Sequence, residues 1–403
     1  MALGYAAFTL FLYNSCLGVF LSYGVFFTRV STEFNLPPSA TSIVFGVFAI
    51  FYSISSLLLG LLMNRKGPGK TILLGGALMG AGLVLSSIAN SFPILVLTYG
   101  FVGGLGSGSM WLPTSYVVFD SFDKSNVKRV TGFVSAGTAI GLLFFPPLED
   151  YLISTWSIQA AFFFVGLIVF AFTILAYHTS RNTKVAQRFA LRDALHRLGT
   201  KRFGSLYAYY SAGNAFSRTL VTIFLVPLLE SKGLGTVAGT FALVLIGVGS
   251  LTGRLTAGLQ GVSEETLASS GFILQGICAA GLFVANDFLT IGVFSVLFGI
   301  GYGTYVPEFA LLVRKYYGLD HYGAIFGVLL TSFGIGAFVG PVFEGIVVSS
   351  SLGYLPGFLL AAVVSLAVGI HLLIGARKEA RGGLSCHCRH MGATAPILRN
   401  TRR

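Results

Sequence analysis

Residues 38–70 read PSATSIVFGVFAIFYSISSLLLGLLMNRKGPGK, a long apolar run that ends in a short, basic, glycine-rich turn. The run from 38 to 63 contains no charged side chain. A helix of roughly 20 apolar residues is long enough to cross the hydrocarbon core of a bilayer. The stretch therefore predicts a membrane-spanning helix with cations at one end, and the same pattern recurs along the chain.

The composition of the whole chain agrees with this interpretation. Of its 403 residues 54% are hydrophobic and 10% are charged, whereas soluble domains carry about 25% charged residues. The formal net charge of +12 comes from basic clusters between the apolar runs and in the tail, which indicates membrane topology rather than binding to nucleic acid. The four cysteines lie in apolar segments (Cys16, Cys278) or in the tail (Cys386, Cys388), so no disulfide framework is predicted.

Twelve apolar segments have the length of a span, and the sequence predicts an all-α membrane protein. We read the first as a true span because it lacks the charged start of a signal peptide and is too long for one. The predicted spans cover residues 4–28, 38–63, 71–90, 93–118, 130–152, 156–178, 203–229, 234–260, 266–286, 288–313, 322–347 and 353–376.

The distribution of basic residues predicts the orientation of these spans. With both termini in the cytoplasm, 22 of the 26 Lys and Arg residues fall on the inner side. Arg29 and Lys232 fall outside, and Arg218 and Arg254 fall within spans. Because cytoplasmic loops carry the excess of Lys and Arg, we predict a multi-pass protein of the cell membrane with both termini inside.

The chain is predicted to consist of two related halves. The longest polar stretch between spans, residues 179–202, separates a six-helix half over 1–178 from a second over 203–376, and residues 377–403 form a tail that we expect to be disordered. An offset of 194 residues superposes Trp111 on Tyr305, Pro113 on Pro307, Pro147 on Pro341 and Asp150 on Glu344. Repeated halves of this kind are common in secondary transporters.

The turn after the second span carries a family signature. Gly60, Asn64, Arg65, Gly67 and Lys70 resemble the motif G-x-x-x-[DN]-R-x-G-x-[RK] of the major facilitator superfamily, with Asn64 in place of the more usual Asp. The resemblance implies the major facilitator fold, transport by alternating access, and a role for these five residues in gating. The alternative is an ordinary basic loop.

Two further stretches point to one branch of that family. Residues 119–148, with Lys128-Arg129 and the glycines that follow, resemble the fourth-to-fifth helix signature of the monocarboxylate and oxalate/formate transporters. Residues 22–27, SYGVFF, resemble the first-span motif S-[FY]-G-V-F-F of the same branch. This narrower resemblance implies a small organic anion as substrate.

Arg254 in the eighth span is the strongest candidate for binding that anion. In the branch, an arginine at this place binds the substrate carboxylate, and a guanidinium presents a planar fork of donors that matches a carboxylate. Burying an arginine in a membrane costs from about 3 to above 10 kcal/mol, so the residue needs a partner, a watery cavity or a function. The alternative is an arginine that extends to the cytoplasmic surface.

Ser250 precedes Arg254 by one helical turn and shares its face. Animal monocarboxylate carriers have an Asp at this position and a Lys in the first span, both tied to proton coupling, but here the positions hold Ser250 and approximately Phe27. Proton coupling by the animal mechanism is therefore not expected, whereas anion binding is.

Arg218 lies near the middle of the seventh span. The polar residues there recur at steps of three and four, which gives one polar face: Tyr207, Tyr210, Ser211, Asn214, Arg218 and Thr222. Such a face points to protein or water, because lipid cannot satisfy it. Arg218 is either a second cation in the central cavity, with Asn214 beside it, or the partner of Glu308, the only acid that the pattern places well inside a span. If Glu308 does not pair with Arg218, it is the candidate for proton coupling.

The remaining candidates have equally open alternatives. Aromatic residues of the first, fourth and tenth spans either line the cavity or only pack: Tyr23, Trp111, Tyr116, Tyr302 and Tyr305. Asp150 and Glu344 form an outer gate or are solvated helix ends. The tail residues Cys386, His387, Cys388 and His390 are spaced too tightly for the usual zinc pattern, and we predict no metal, cofactor, nucleotide site or covalent catalysis.

The sequence thus predicts a non-enzymatic secondary transporter for a small organic anion, most simply a monocarboxylate, coupled to protons or to anion exchange. Two other functions stay open. The chain could export amphipathic or cationic compounds, although buried acids would then be expected rather than two arginines. It could also be a membrane sensor that kept the fold and lost transport.

Overall fold

The structure is a computed structural model, and it describes residues 2–123, 126–183, 199–256, 262–318 and 322–391. Within these residues twelve helices are long and apolar enough to cross a membrane. They coincide in order and position with the twelve spans predicted from the sequence, so the predicted fold class is confirmed. The predicted connector lies largely in 184–198, outside the described residues.

Nine of the twelve spans are single helices. Their bounds are Pro38–Lys66, Pro68–Ser86, Val127–Thr155, Ile158–Ser180, Gly235–Thr256, Glu264–Val284, Phe288–Tyr317, Tyr322–Ser349 and Leu355–Met391. The last helix thus includes part of the predicted tail. Residues 392–403 lie outside the described residues, and disorder of the tail stays a prediction.

The first, fourth and seventh spans are interrupted. The first consists of α1 (Ala2–Ser15), α2 (Leu17–Leu21) and α3 (Tyr23–Glu33). The fourth contains Phe92–Leu95, a π-helical segment Val96–Gly103, Gly104–Ser107 and, after a turn, Leu112–Ser121. The seventh contains Lys201–Tyr209, a second π-helical segment Tyr210–Ser217, and Arg218–Ser231. Broken helices in transporters often mark the binding site, and all three of these breaks adjoin the central cavity described below.

Small residues bring the two six-helix halves together. The second span packs along the eleventh, where Gly334 lies against Ser53 and Gly345 lies against Ser42. The fifth span packs against the eighth, where Gly247 lies against the carbonyl of Ala139. Membrane helices associate through close packing of small residues because lipid offers no hydrophobic driving force between helices. These contacts enclose a cavity on the axis between the halves.

Candidate functional site

The central cavity lies between the two halves and has a volume of about 40 Å³. Its lining comes from the first, second, fourth and fifth spans on one side and from the seventh, eighth, tenth and eleventh on the other. The lining residues are Leu17, Phe20, Leu21, Tyr52, Trp111, Thr138, Tyr210, Asn214, Arg218, Arg254, Tyr302, Val306 and Phe333. Both arginines that the sequence places within spans are therefore in one site.

Arg218 begins the regular helix that follows the π-helical segment of the seventh span. Its side chain is 4% exposed, and its Nε donates to the carbonyl of Asn214 at 3.3 Å. The guanidinium carbon lies 4.8 Å from the centre of the Tyr302 ring and 5.3 Å from that of Phe333. Two aromatic faces therefore hold the arginine, and its pairing with Glu308 stays a prediction.

Arg254 enters the cavity from the eighth span and is 1% exposed. Its Nε donates to the Ser250 hydroxyl at 3.2 Å, one helical turn away, and its guanidinium carbon lies 5.1 Å from the centre of the Tyr302 ring. Nη1 and Nη2 are buried and have no hydrogen-bond partner among the described residues. Arg254 therefore does not extend to the surface, and its unused donors are available to a ligand in the cavity.

Asn214 and Ser250 support the two arginines in different ways. Asn214 lines the cavity, and its backbone carbonyl accepts the hydrogen bond from Arg218 Nε. Its side-chain oxygen accepts a hydrogen bond from the Tyr305 hydroxyl at 3.3 Å. Ser250 is fully buried and lies behind Arg254, outside the cavity lining. Ser250 thus orients the arginine and does not itself face the cavity.

The predicted aromatic residues separate into two groups. Trp111 and Tyr302 line the cavity. Tyr305 lies behind it, stacked on Phe272 and hydrogen-bonded to Gln275 at 2.7 Å. The other two are also outside the lining: Tyr23 donates to the Thr41 carbonyl at 3.2 Å, and Tyr116 is half-buried on the fourth span.

Several lining residues were not predicted from the sequence. Phe20 of α2 packs against Tyr52, with ring centres 6.0 Å apart, and against Phe333, at 5.8 Å. Tyr210 and Thr138 complete the polar part of the wall. Tyr210 belongs to the polar face of the seventh span, which was a usable signal, but Phe20 and Phe333 resemble the many other phenylalanines of the chain.

The turn after the second span has the geometry that its glycines predict. Gly67 ends the helix with φ 84° and donates to the Met63 carbonyl at 2.8 Å, a backbone conformation that glycine adopts without strain. Arg65 and Lys70 are exposed and Gly60 is buried, whereas the side chain of Asn64 lies outside the described residues. The gating role of the five residues stays a prediction.

More acidic side chains are buried than the sequence predicts. Glu308 is fully buried, as predicted, but so are Glu344 and Glu149, both 0% exposed. The interpretation of Glu344 as a solvated helix end is therefore wrong, as is the statement that Glu308 alone lies well inside a span. Asp150, the repeat partner of Glu344, is half-buried. The helix carrying Glu149 runs on to Thr155, which leaves this acid further from the helix end than the predicted boundary at 152 implied.

No group of His, Cys, Asp and Glu residues suited to a metal ion occurs in the part of the chain that the structure describes. The side chains of Cys386, His387, Cys388 and His390 lie outside that part.

Comparison with known proteins agrees with the architecture. The sequence profile of the Major Facilitator Superfamily matches residues 3–263 and 214–385. Monocarboxylate transporter 2 of Rattus norvegicus is 21% identical over 381 residues, which cover 87% of this chain and 78% of the rat protein. The proton-coupled antiporter flippase LtaA of Staphylococcus saprophyticus is 23% identical over 352 residues, covering 83% of this chain and 86% of that protein.

Among solved structures, the human organic anion transporter MFSD10 (TETRAN) superposes with a TM-score of 0.69 at 14% identity, covering 91% of this chain and 97% of that one. At this identity the likeness concerns the fold. Together with the profile match over both halves, it places the twelve helices and their central cavity in one family: the chain belongs to the Major Facilitator Superfamily of membrane transporters.

Proposed function

We propose that this transporter moves a small organic anion, most simply a monocarboxylate, through the central cavity by alternating access. The observation that carries the proposal is the charge of the cavity. Two arginines line it, and none of the described lining residues is an Asp or Glu. A cationic cavity within the membrane favours an anionic ligand, because that ligand offsets the cost of burying the guanidinium groups.

Arg254 is the proposed carboxylate ligand. Its Nε is fixed by Ser250, so the guanidinium plane is oriented while Nη1 and Nη2 keep their donors unused. Two parallel N–H donors match the two oxygens of a carboxylate. Arg218 is the proposed second cation, held nearby by the same Tyr302 ring, and it adds positive potential or a second contact for a larger anion.

The names of the similar proteins support the same class of substrate. A monocarboxylate transporter and an organic anion transporter are among them, and the flippase is described as a proton-coupled antiporter. We propose coupling to protons or to the exchange of anions, with Glu308 as one candidate for proton coupling. The proposed location is the cell membrane, with both termini in the cytoplasm.

The size of the cavity implies that it must change during transport. A volume of about 40 Å³ holds about three water molecules, which is too little for lactate or pyruvate with its hydration. The cavity therefore has to widen when the anion enters. This is the expected behaviour of a site that alternates between the two faces of the membrane.

The test is uptake of radiolabelled pyruvate, lactate and oxalate into proteoliposomes that contain the full chain. We expect saturable uptake of at least one of them, and a reduction of tenfold or more in Arg254→Ala and Arg218→Ala, because a hydrogen bond to a charged group contributes about 1.5–3 kcal/mol. Arg181→Ala is the matched control, since Arg181 is exposed at the end of the sixth span.

Two results would contradict the proposal. Transport that Arg254→Ala leaves intact would remove the role of Arg254 as carboxylate ligand. No uptake of any of the three anions by the unaltered chain would favour export of amphipathic or cationic compounds, or a sensor without transport.

A further inference from the structure

The first span is interrupted at Ser22, which lies between α2 and α3 with φ −86° and ψ 3°. On one side of this break, Leu17, Phe20 and Leu21 of α2 line the central cavity. On the other side, α3 continues to Glu33. Ser22 is therefore the joint between the part of the first span that faces the cavity and the part that runs to the outer end predicted from the charge distribution.

α3 joins the two halves beyond the cavity. Gly24 lies against the carbonyl of Ile223 in the seventh span, and the rings of Phe27 and Phe224 are 4.9 Å apart. Near the end of the helix, Thr28 donates to Glu230 of the seventh span at 2.6 Å. These contacts between the first and seventh spans, which we call the outer closure, separate the cavity from that face of the membrane.

Glu149 of the fifth span lies beside the joint. It is 0% exposed, and the polar side chains that interact with its carboxyl group are Ser22 of the first span and Tyr99 of the fourth. Neither carboxyl oxygen has a partner in hydrogen-bond geometry among the residues that the structure describes. Among the described residues, Glu149 forms no salt bridge with a basic side chain; the salt bridges that the structure shows join Lys315 to Glu264 and Glu265.

The two hydroxyl groups near Glu149 suit a protonated carboxyl group better than a carboxylate. The Ser22 hydroxyl donates to the Val19 carbonyl at 3.2 Å, so its oxygen is left as an acceptor. The Tyr99 hydroxyl is buried and has no partner in hydrogen-bond geometry among the described residues. A small shift of the carboxyl group would bring a protonated Glu149 to the Ser22 oxygen, while a carboxylate would bring a full charge with no cation beside it.

The cost of that charge links protonation to closure. An ionised carboxylate in an apolar, closed site has a large solvation penalty that only a partner or water can relieve. Here the described neighbours supply no cation, so relief requires water, and water reaches Glu149 when α3 withdraws from the seventh span. The adjacent Asp150 is half-buried and interacts with Arg29 of α3 and with Glu230, which places charged groups between Glu149 and the outer end.

We propose that Glu149 is a proton-binding site that controls the outer closure of this transporter. With Glu149 neutral, α3 packs on the seventh span and the cavity is closed on that side. Loss of the proton to the outer solution leaves a carboxylate that needs water, and the outer closure opens. The proton therefore acts at the joint of the first span, while the anion acts in the cavity that α2 lines.

The role of Glu149 does not depend on which anion is transported, so it can be tested without any substrate. Two spin labels report the outer closure, one at the end of α3 through Thr32→Cys and one at the end of the eleventh span through Ser350→Cys. Both positions are exposed. Their distance distribution is measured by pulsed electron resonance on the full chain in lipid nanodiscs, with the native cysteines replaced, across a series of pH values.

We expect a short distance at acidic pH and a growing population with a longer distance as the pH rises. Glu149→Gln resembles the neutral acid in shape and cannot lose a proton, so it should keep the short distance throughout. Glu33→Gln is the matched control: Glu33 is exposed at the end of α3, and its variant should behave as the unaltered chain does. Infrared difference spectra over the same series should show a protonated carboxyl band that is absent in Glu149→Gln.

Several outcomes would overturn the inference. If Glu149→Gln shows the same pH-dependent lengthening as the unaltered chain, Glu149 does not control the closure. If the unaltered chain lacks the carboxyl band that Glu149→Gln should remove, the residue binds no proton in this range. Either result would leave the carboxylate proposal standing, since that proposal is decided by uptake in proteoliposomes.

Discussion

At the scale of single residues, Tyr302 connects the two arginines of the cavity. The guanidinium carbon of Arg218 lies 4.8 Å from the centre of its ring and that of Arg254 lies 5.1 Å away. Two like charges held near one another inside a membrane repel, and an aromatic face lowers that cost because its quadrupole attracts cations. The ring therefore allows a doubly cationic cavity to exist before an anion arrives.

The first prediction concerns that ring. Tyr302→Leu should lower the free energy of unfolding by about 1–2 kcal/mol, because both cation–π contacts are lost at about 0.5–2 kcal/mol each while some apolar volume is kept. Tyr302→Phe keeps the ring and is the matched control, expected to lie close to the unaltered chain. Thermal unfolding of the purified proteins in detergent measures the difference. Equal stability of the two variants would show that the ring does not hold the arginines.

A site residue could be predicted only where the sequence around it distinguishes it from ordinary residues of a span. Arg254 was found because a charge inside a span needs a partner or a function and because the branch resemblance implies a carboxylate-binding arginine there. Ser250 was found because it lies one turn before Arg254, and the structure joins the two at 3.2 Å. Glu149 was missed because it comes three residues before the predicted end of its span, where acids are usually solvated. The helix continues to Thr155 and α3 runs beside it, and neither extension is visible in the local composition.

At the scale of elements, the π-helical segment of the seventh span explains how Arg218 reaches the cavity. Tyr210–Ser217 forms i to i+5 turns in place of i to i+4. The Ser217 hydroxyl donates to the Ala212 carbonyl at 3.2 Å, and the Asn214 carbonyl receives Arg218. Three members of the polar face read from three- and four-residue steps, Tyr210, Asn214 and Arg218, line the cavity together. Nothing in YSAGNAFS distinguishes this segment from an ordinary helix by sequence.

Glycine contacts between the eighth and tenth spans fix the position of Arg254. Gly303 lies directly against the backbone carbonyl of Ser250, and Gly299 lies against the carbonyl of Ile246. Such close approach is available only to residues without a side chain. Because Ser250 orients Arg254, the tenth span determines where the guanidinium group stands in the cavity.

The second prediction tests this contact. Gly303→Ala should destabilise the protein by about 1–3 kcal/mol, the usual cost of overpacking, because the added Cβ meets backbone that cannot rotate away. Gly204→Ala is the matched control: Gly204 is also helical, but open space surrounds it, so alanine should stabilise that helix by about 1 kcal/mol. We expect the thermal unfolding temperature to fall in Gly303→Ala and to rise in Gly204→Ala. Similar shifts would show that the spans can separate at no cost.

At the scale of the whole molecule, contacts between the halves lie on both sides of the cavity. On the side opposite the outer closure, Phe119 of the fourth span meets Tyr322 of the eleventh, with ring centres 5.0 Å apart. The guanidinium carbon of Arg314, in the tenth span, lies 5.3 Å from the centre of the Phe119 ring. Transport requires that these two sets of contacts open in turn, so each must be weak enough to break.

The last prediction concerns the orientation of the protein in the membrane. The excess of Lys and Arg on one side predicts that the turn before the fifth span is cytoplasmic and that the turn after it is external. Asn126 and Trp156 stand at the two ends of this helix, and both are exposed. In a background that lacks Cys386 and Cys388 and keeps the buried Cys16 and Cys278, a membrane-impermeant maleimide should label Trp156→Cys on intact cells. It should label Asn126→Cys only after permeabilisation. The reverse pattern would invert the topology and place the outer closure, with Glu149, toward the cytoplasm.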